Sequence, residues 1–439
     1  MSVTPKQPPQ AVSDLRCMRT LAMTMIGQRF LRALSCRSAN AACLILTCAV
    51  TLYSPSGGLR QGSAAEPNDP GTRVWFGTYT DGHATSEGIY TSRFAADTAT
   101  LAPLELAAAV DNPSFLAVHP TLPVLYCVSE VATADGRPTG TLLAFSIDPA
   151  TGRLTLKNQQ PSGGSGPCHL SVDPSGRTVM AANYGGGSVI CLGLTADGSL
   201  KPVASSSPGG FVQHSGRSIN KKRQQSPHAH GVYATAKSRF AIACDLGLDK
   251  VLVYSLDPVE ATLVPHGQSP LEPGAGPRHF ALHPSERFGY CVNELDLTVT
   301  AFTFDSVAGT LTPTQTISTL PGNLADGSPE ERTGFSTSEI LVHPTGKFLY
   351  ASNRGHDSIA MFTIQEATGR LTFLGSEPIR GKTPRSFVLD PSGRFLLAGG
   401  QNSNTVTLFA IDHQTGRLTF TGGSFFVPVP VCICFEPSR

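Results

Sequence analysis

The sequence predicts an all-β fold, a seven-bladed β-propeller of four-stranded antiparallel blades whose last blade is closed by strands from both chain ends. Three observations carry this expectation. A hairpin phrase recurs six times, a leucine-headed strand recurs seven times, and the one missing hairpin is split between the two ends of the chain. Regular repetition of about this period, with several short strands in each copy, is what a propeller blade requires.

The hairpin phrase is clearest at Pro167-Cys168-His169-Leu170-Ser171-Val172-Asp173-Pro174-Ser175-Gly176-Arg177. It returns at 277–287, 337–347 and 384–394, with weaker copies starting at Pro113 and Pro227. Proline after Asp or His presets the first corner of a turn, and the following glycine relaxes the next. Apolar residues alternate on both sides of the turn, so each copy reads as two paired strands.

The second phrase is a strand, a glycine-containing turn and a leucine heading another strand. Its leucines are Leu101, Leu154, Leu200, Leu263, Leu311, Leu371 and Leu418, spaced 46 to 63 residues apart. The C-terminal run Pro430-Val431-Cys432-Ile433-Cys434-Phe435 matches the front of a hairpin, and Arg73-Val74-Trp75-Phe76-Gly77-Thr78-Tyr79 matches its back. Pairing them completes a seventh blade and removes the exposed edges of an open array. Stacked β domains would give a split copy no reason to exist.

Ahead of the propeller, assigned to residues 72–439, residues 1–65 read as a signal peptide or an anchor leader. Arg16, Arg19, Arg29, Arg32 and Arg37 precede an apolar run from Ala41 to Tyr53, which suits a signal-peptide core better than a membrane span. Export to the periplasm or another extracytoplasmic space follows. The basic leader is long, which makes Met18 or Met23 an alternative initiator; if the leader as a whole is a misassigned start, the chain is cytoplasmic instead. Contact with a membrane is expected only through an uncleaved leader.

Beyond the leader there are 26 basic and 31 acidic residues, so the body has no general attraction for nucleic acid. Its seven scattered cysteines do not form a disulfide pattern, and no paired-cysteine spacing points to zinc. Phosphate-loop, dinucleotide and serine-elbow motifs are absent from the sequence.

The repeat also locates the chemistry. Registered on the turn residues Pro120, Pro174, Ala234, Pro284, Pro344 and Pro391, the tenth residue onward is Glu130, Tyr184, Glu294, Arg354 or Gln401, with Asp245 one place off in the third copy. The first strand of each hairpin opens with Cys168-His169, His228-Ala229-His230, Arg278-His279, Ser338-Glu339 or Arg385-Ser386. Antiparallel pairing puts these two sets side by side at one rim. His228, His230, Arg278, His279, Glu294, Arg354, Arg385 and Gln401 are therefore expected at one mouth, suited to an anionic or carbonyl substrate. His228 and His230 are expected on the same side of a strand, as a metal pair would be, but no third ligand accompanies them and no metal site is assigned. A basic insertion, 213–225, precedes the third blade and offers Arg223 as a lid residue.

Gly276-Pro277-Arg278-His279, Cys291-Val292-Asn293-Glu294-Leu295, Pro227-His228-Ala229-His230 and Ser352-Asn353-Arg354 together resemble the seven-bladed lactonase family. That family includes propeller-type 6-phosphogluconolactonases and fungal 3-carboxy-cis,cis-muconate lactonizing enzymes. The resemblance covers 72–439 and implies hydrolysis of a sugar lactone, with catalytic roles for His228, Arg278, Glu294 and Arg354. His230, His279, Tyr184, Arg385, Gln401 and Arg223 would bind substrate, no cofactor is implied, and the protein is expected to be a monomer or weak dimer. Two alternatives remain open at this point. One is a muconate-type cycloisomerase; the other is a non-catalytic exported binding module, because Tyr350-Ala351-Ser352-Asn353 also resembles surface-layer propeller repeats.

Overall fold

A computed structural model describes residues 71–437 apart from 83–84, 135, 204–208 and 329. The expected leader lies outside the described residues. Among the described residues the chain forms seven antiparallel sheets arranged in sequence order. Blades 1 to 6 span residues 116–161, 167–213, 229–270, 277–318, 336–378 and 384–426. Each runs from an innermost to an outermost strand, and each has four strands.

Blade 7 takes its innermost strand from Pro430–Phe435 and continues through Thr72–Thr78 and Gly88–Ala95. Val74 pairs with Phe435 and Phe76 with Ile433, which is the predicted closure. Two outer strands differ from expectation. Leu200 only bridges Leu194, and the fourth strand of blade 2 is Phe211–Gln213. In blade 7 the leucine-headed strand stops at Leu101 after two residues, and the edge resumes at Glu105–Ala109.

Seven apolar clusters hold the ring together, one between each pair of neighbouring blades. Strands covered on both faces need no polar alternation. Phe288–Asn293, for example, is buried throughout, which explains the low charge content. The turn residues stitch the blades as well. His119, His283 and His343 place their Nε2 atoms 3.0, 3.0 and 2.8 Å from the carbonyls of Gly176, Gly346 and Gly393 in the next blade. Gly346 has φ 72°, and a Cβ there would come within 2.5 Å of the His283 ring, so the stitch requires glycine.

Six of the seven body cysteines are buried, and all seven are free. They fill the strands as small apolar side chains.

Candidate active site

One backbone irregularity builds the mouth. The innermost strand of nearly every blade slips register near its start, so that an extra residue stands opposite its partner strand. In blade 4, Pro277 pairs with Asn293 and His279 with Val292, leaving Arg278 as the extra residue. The same shift singles out Cys168, His230 and Arg385 in blades 2, 3 and 6. In blade 5 it falls across Ser338 and Glu339. A bulge re-aims its side chain, and here it does so at one level of a ring.

Glu294 sits at the centre of the resulting cluster. Its carboxylate lies 2.6 Å from Arg223, 3.2 Å from Arg278 Nε and 3.1 Å from Arg354. Glu294 and Arg278 are both almost fully buried. Burial alone would raise the Glu294 carboxyl, but Arg354, Arg278 and Arg223 outweigh it and hold it down at about 2. Burial lowers Arg354 to about 10, against the pull of Glu294.

Both central guanidiniums are anchored by backbone. Arg278 donates to the Ser338 carbonyl at 2.6 Å, and Arg354 to the Thr337 carbonyl at 2.9 Å. The Nε atoms of Arg278 and Arg354 are buried without a hydrogen-bond partner. The contact of Arg278 Nε with Glu294 is an ion pair of poor hydrogen-bond alignment.

Beneath the clamp lies a column of imidazoles. Arg278 can only donate, so the His279 Nε2 at 3.2 Å is an acceptor, and its proton resides on Nδ1, donated to Glu339 at 2.8 Å. The His279 ring is 5.2 Å from both His169 and His230. Burial, and after it Arg278, keeps His230 and His279 well below the usual imidazole range. Burial raises Glu339 to about 7, against the pull of Arg278.

His228 is placed differently. It precedes the strand Ala229–Ala234, and the Tyr184 ring meets both imidazoles, His228 at 4.5 Å and His230 at 5.4 Å. The strand starts after it because its backbone N–H is taken by Asp245 Oδ1 at 2.8 Å instead of a strand partner. The His228 Nδ1 donates to the Tyr184 carbonyl at 2.8 Å, and the ring stacks on Tyr184 at 4.5 Å. That bond fixes the tautomer, so in the neutral ring Nε2 keeps its lone pair.

The third-copy register also needs correcting. Thr235 takes the turn position of Asp173 and His283, accepting Phe240 N–H on its hydroxyl. Ala236, not Ala234, therefore replaces the turn proline, and Asp245 belongs with Asn183, Asn293 and Asn353 at the strand end rather than with Glu294 in the ring.

The basic insertion is fastened to the mouth by a carboxylate outside both repeated phrases. Asp249 accepts from Ser218 at 2.5 Å and from Gln224, Gly274 N and Gly276 N at 2.7 Å each. Gly274 and Gly276 lead into Arg278, so one buried carboxylate ties the insertion to the strand carrying the central guanidinium. Arg223 reaches inward to Glu294 and donates to the Tyr184 hydroxyl at 3.0 Å. Asp249 offered little signal in sequence, as it sits outside both repeated phrases in a Gly/Leu-rich turn.

Arg385 is half-buried, with its guanidinium 5.2 Å from the Tyr79 ring centre. Gln401 lies in a short 3-10 turn, Gln401–Ser403, and its side chain forms no hydrogen bond to the clamp. Among the described residues no group of His, Cys, Asp and Glu is arranged to hold a metal ion.

A closed propeller with carboxylate-clamped guanidiniums beside a tautomer-fixed imidazole defines a class of site built for carbonyl chemistry on polar substrates. The profile of the seven-bladed β-propeller lactonases matches residues 73–435, and the chain belongs to that family. It is 37% identical over 311 residues to the 6-phosphogluconolactonase of Bacillus subtilis, covering 71% of this chain and 83% of that one. The 6-phosphogluconolactonase of Formosa agariphila is 31% identical, over 71% and 85% of the two chains. The periplasmic gluconolactonase of Pseudomonas aeruginosa superposes with a TM-score of 0.74 at 32% identity, over 83% of this chain and 98% of that one.

Proposed function

We propose that this chain hydrolyses a sugar lactone to the open-chain acid, with His228 as general base and Arg278 and Arg354 as oxyanion donors. The observation that carries the reading is the convergence of two guanidiniums, of Arg278 and Arg354, on a single clamping carboxylate at a mouth that also holds the tautomer-fixed His228. Donors preorganised for a developing oxyanion stabilise the transition state more than the ground state, and losing one typically costs about 3 kcal/mol.

Water attacks the lactone carbonyl while His228 Nε2 takes its proton. The carbonyl oxygen becomes an oxyanion facing the guanidiniums. As the tetrahedral intermediate collapses, the ring C–O bond breaks, and the departing alkoxide recovers the proton from the imidazolium. Water is the only co-reactant. Glu294, held at about 2, is too weak a base to compete at neutral pH, so its part is to position Arg223, Arg278 and Arg354.

The names of the relatives support a sugar lactone over a muconate. Four guanidiniums at the mouth argue against a passive binding module. The periplasmic relative and the expected leader support an extracytoplasmic site of action. Among the described residues no helix is long and apolar enough to cross a membrane.

The test is acid release by the full chain from glucono-δ-lactone and 6-phosphogluconolactone, measured above spontaneous hydrolysis. His228→Gln should lower kcat by roughly 10²–10⁴-fold, the usual contribution of a general base. An unchanged rate would remove His228 from the mechanism. A wild-type rate no faster than the buffer across the panel would remove hydrolysis itself.

A further inference from the structure

The residue that leads into the innermost strand has a common backbone form. In five blades it is Asn112, Gly166, Gly276, Thr383 or Val429, each in the left-handed region with φ between 41° and 68°. Its carbonyl accepts the N–H at the mouth end of the second strand, from Glu130, Tyr184, Glu294, Gln401 and Tyr79 in turn. His228 holds this place in blade 3, where its carbonyl accepts the Leu246 N–H at 2.9 Å, but its backbone is not left-handed. Its own N–H is turned to Asp245 Oδ1 at 2.8 Å.

Blades 2, 4 and 5 carry Asn183, Asn293 and Asn353 where blade 3 carries Asp245. An amide presents one acceptor oxygen, whereas a carboxylate presents two, and Asp245 uses both. Oδ1 also accepts the Gly247 and Leu248 N–H groups at 3.0 and 3.2 Å. Oδ2 lies 2.6 Å from Nδ1 of His214, which follows the outermost strand of blade 2 and opens the basic insertion. A carboxylate only accepts, so the His214 proton resides on Nδ1, and Nε2 accepts from the Tyr254 hydroxyl at 2.7 Å. All three side chains are buried.

Both nitrogens of His214 are taken, so it has none to offer a substrate and can act only through Asp245. Fixing one oxygen of a planar carboxylate orients the other, so Tyr254, His214 and Asp245 form one chain that ends on the backbone of His228. The insertion is thereby tied twice. Asp249 joins Ser218 and Gln224 to the loop before Arg278, and Asp245 joins His214 to His228.

We propose that His214 is a positioning residue for lactone hydrolysis: through Asp245 it sets the backbone of His228, and so links placement of the base to the seating of the insertion on the mouth. The inference rests on the reading of His228 as general base.

The experiment compares His214→Asn with His214→Gln, in full chains at a temperature where both are folded by near-UV circular dichroism. The asparagine amide falls where Nδ1 stands and the glutamine amide where Nε2 stands, so only His214→Asn keeps the donor to Asp245. His214→Gln should lower kcat on the lactone panel roughly 10- to 100-fold with KM within about twofold, the scale of a catalytic group displaced by about 1 Å. His214→Asn should stay within about threefold of wild type, because the donor that orients Asp245 is retained. In the His228→Gln background the His214→Gln change should cost less than about twofold, since the group it positions is gone. Tyr254→Phe, which strips only the outer end of the chain, should give a smaller loss of kcat that also vanishes in that background, and it carries the test if His214→Gln does not fold.

Equal activity of the two amide variants overturns the proposal, as does a full loss in the His228→Gln background. A wild type active but indifferent to His228→Gln removes the base and the proposal with it. If the wild type hydrolyses no lactone, the hydrolytic reading fails on its own, and trypsin judges the tie. Cleavage after the exposed Arg217, Lys221 and Lys222 should quicken in His214→Gln and not in His214→Asn. Equal cleavage in wild type and both variants overturns the link between His214 and the insertion.

Discussion

The two ends of the innermost strands differ sharply. Pro277-Arg278-His279 at the mouth gives way to Phe280-Ala281-Leu282 toward the turns, and Pro384-Arg385-Ser386 to Phe387-Val388-Leu389. Toward the turns the strands line a cavity of about 610 Å³ whose walls include Phe115, Phe280, Ile340 and Phe387, with His169 and Glu339 among its polar residues. The same seven-fold frame therefore carries charge at one end and apolar packing at the other. The backbone supplies the difference through the bulge, which presents an extra side chain at the mouth in nearly every blade and is absent nearer the turns. A catalytic site thus costs the fold only the first pairing step of the bulged strands, and the ring closes on apolar contacts below it.

The largest expected effect comes from breaking the mouth end. Glu294→Gln leaves Arg278 and its neighbours without their counter-charge. It should destabilise the protein by about 3–5 kcal/mol in urea unfolding, as loss of one partner from a buried ion pair does. It should also lower kcat/KM by roughly 10³-fold, about one oxyanion donor's worth and more, because two donors lose their orientation together. The pH dependence has a defined sign. The folded carboxyl is depressed to about 2, so its stabilising contribution is complete above the ordinary carboxylate range and is lost as pH falls from about 4 toward 2. In Glu294→Gln that acid-side loss should shrink.

Phe387→Ala attacks the other end. Phe387 is almost fully buried between blades 5 and 6, and its truncation should cost about 3–5 kcal/mol. The stability loss resembles that of Glu294→Gln, yet kcat/KM of the folded protein should stay within about twofold of wild type. A collapse of activity in Phe387→Ala under conditions where it is fully folded would show that the ends are not independent.

This division also governs what could be read from sequence. The turns announce themselves, because Asp/His-Pro-Ser/Thr-Gly is a local solution to a local problem, and Pro430–Phe435 reads as the missing half-hairpin for the same reason. Arg278, Glu294 and Arg354 were accessible because each sits at a fixed offset from a turn. Asp249 and the anchoring of His228 were not. Asp249 works through bonds to Ser218, Gln224, Gly274 and Gly276, which are long-range partners that no spacing encodes. His228 depends on whether a strand begins before or after it, and the side chain of Asp245 decides that. The third-copy register slipped because Thr235 and Ala236 replace the residues that mark the turn elsewhere. Arg385 was expected at the mouth, but its seat over the Tyr79 ring is a tertiary fact.

Glu339 stands where the two ends meet, touching His279 on the mouth side and lining the apolar cavity on the other. Its folded carboxyl is raised to about 7 by burial, the opposite sign from Glu294. Below the ordinary carboxylate range both folded and unfolded forms are protonated, and the group imposes no penalty. As pH climbs from about 4.5 to 7 the unfolded chain ionises first, so stability is lost across that window and the loss is complete above it. Glu339→Gln removes the titration while keeping the geometry, since one oxygen, Oε1, accepts from both His279 and the Ile340 N–H. The variant should match wild type in urea unfolding at pH 4 and exceed it by up to about 3 kcal/mol at pH 8. Its activity should change less than that of Glu294→Gln, because His279 keeps both the acceptor for its Nδ1–H and the nitrogen facing Arg278. A variant less stable than wild type at pH 8 would mean that the ionised carboxylate is paired in the folded protein, and that the charged territory of the mouth extends below the imidazole column into the apolar end.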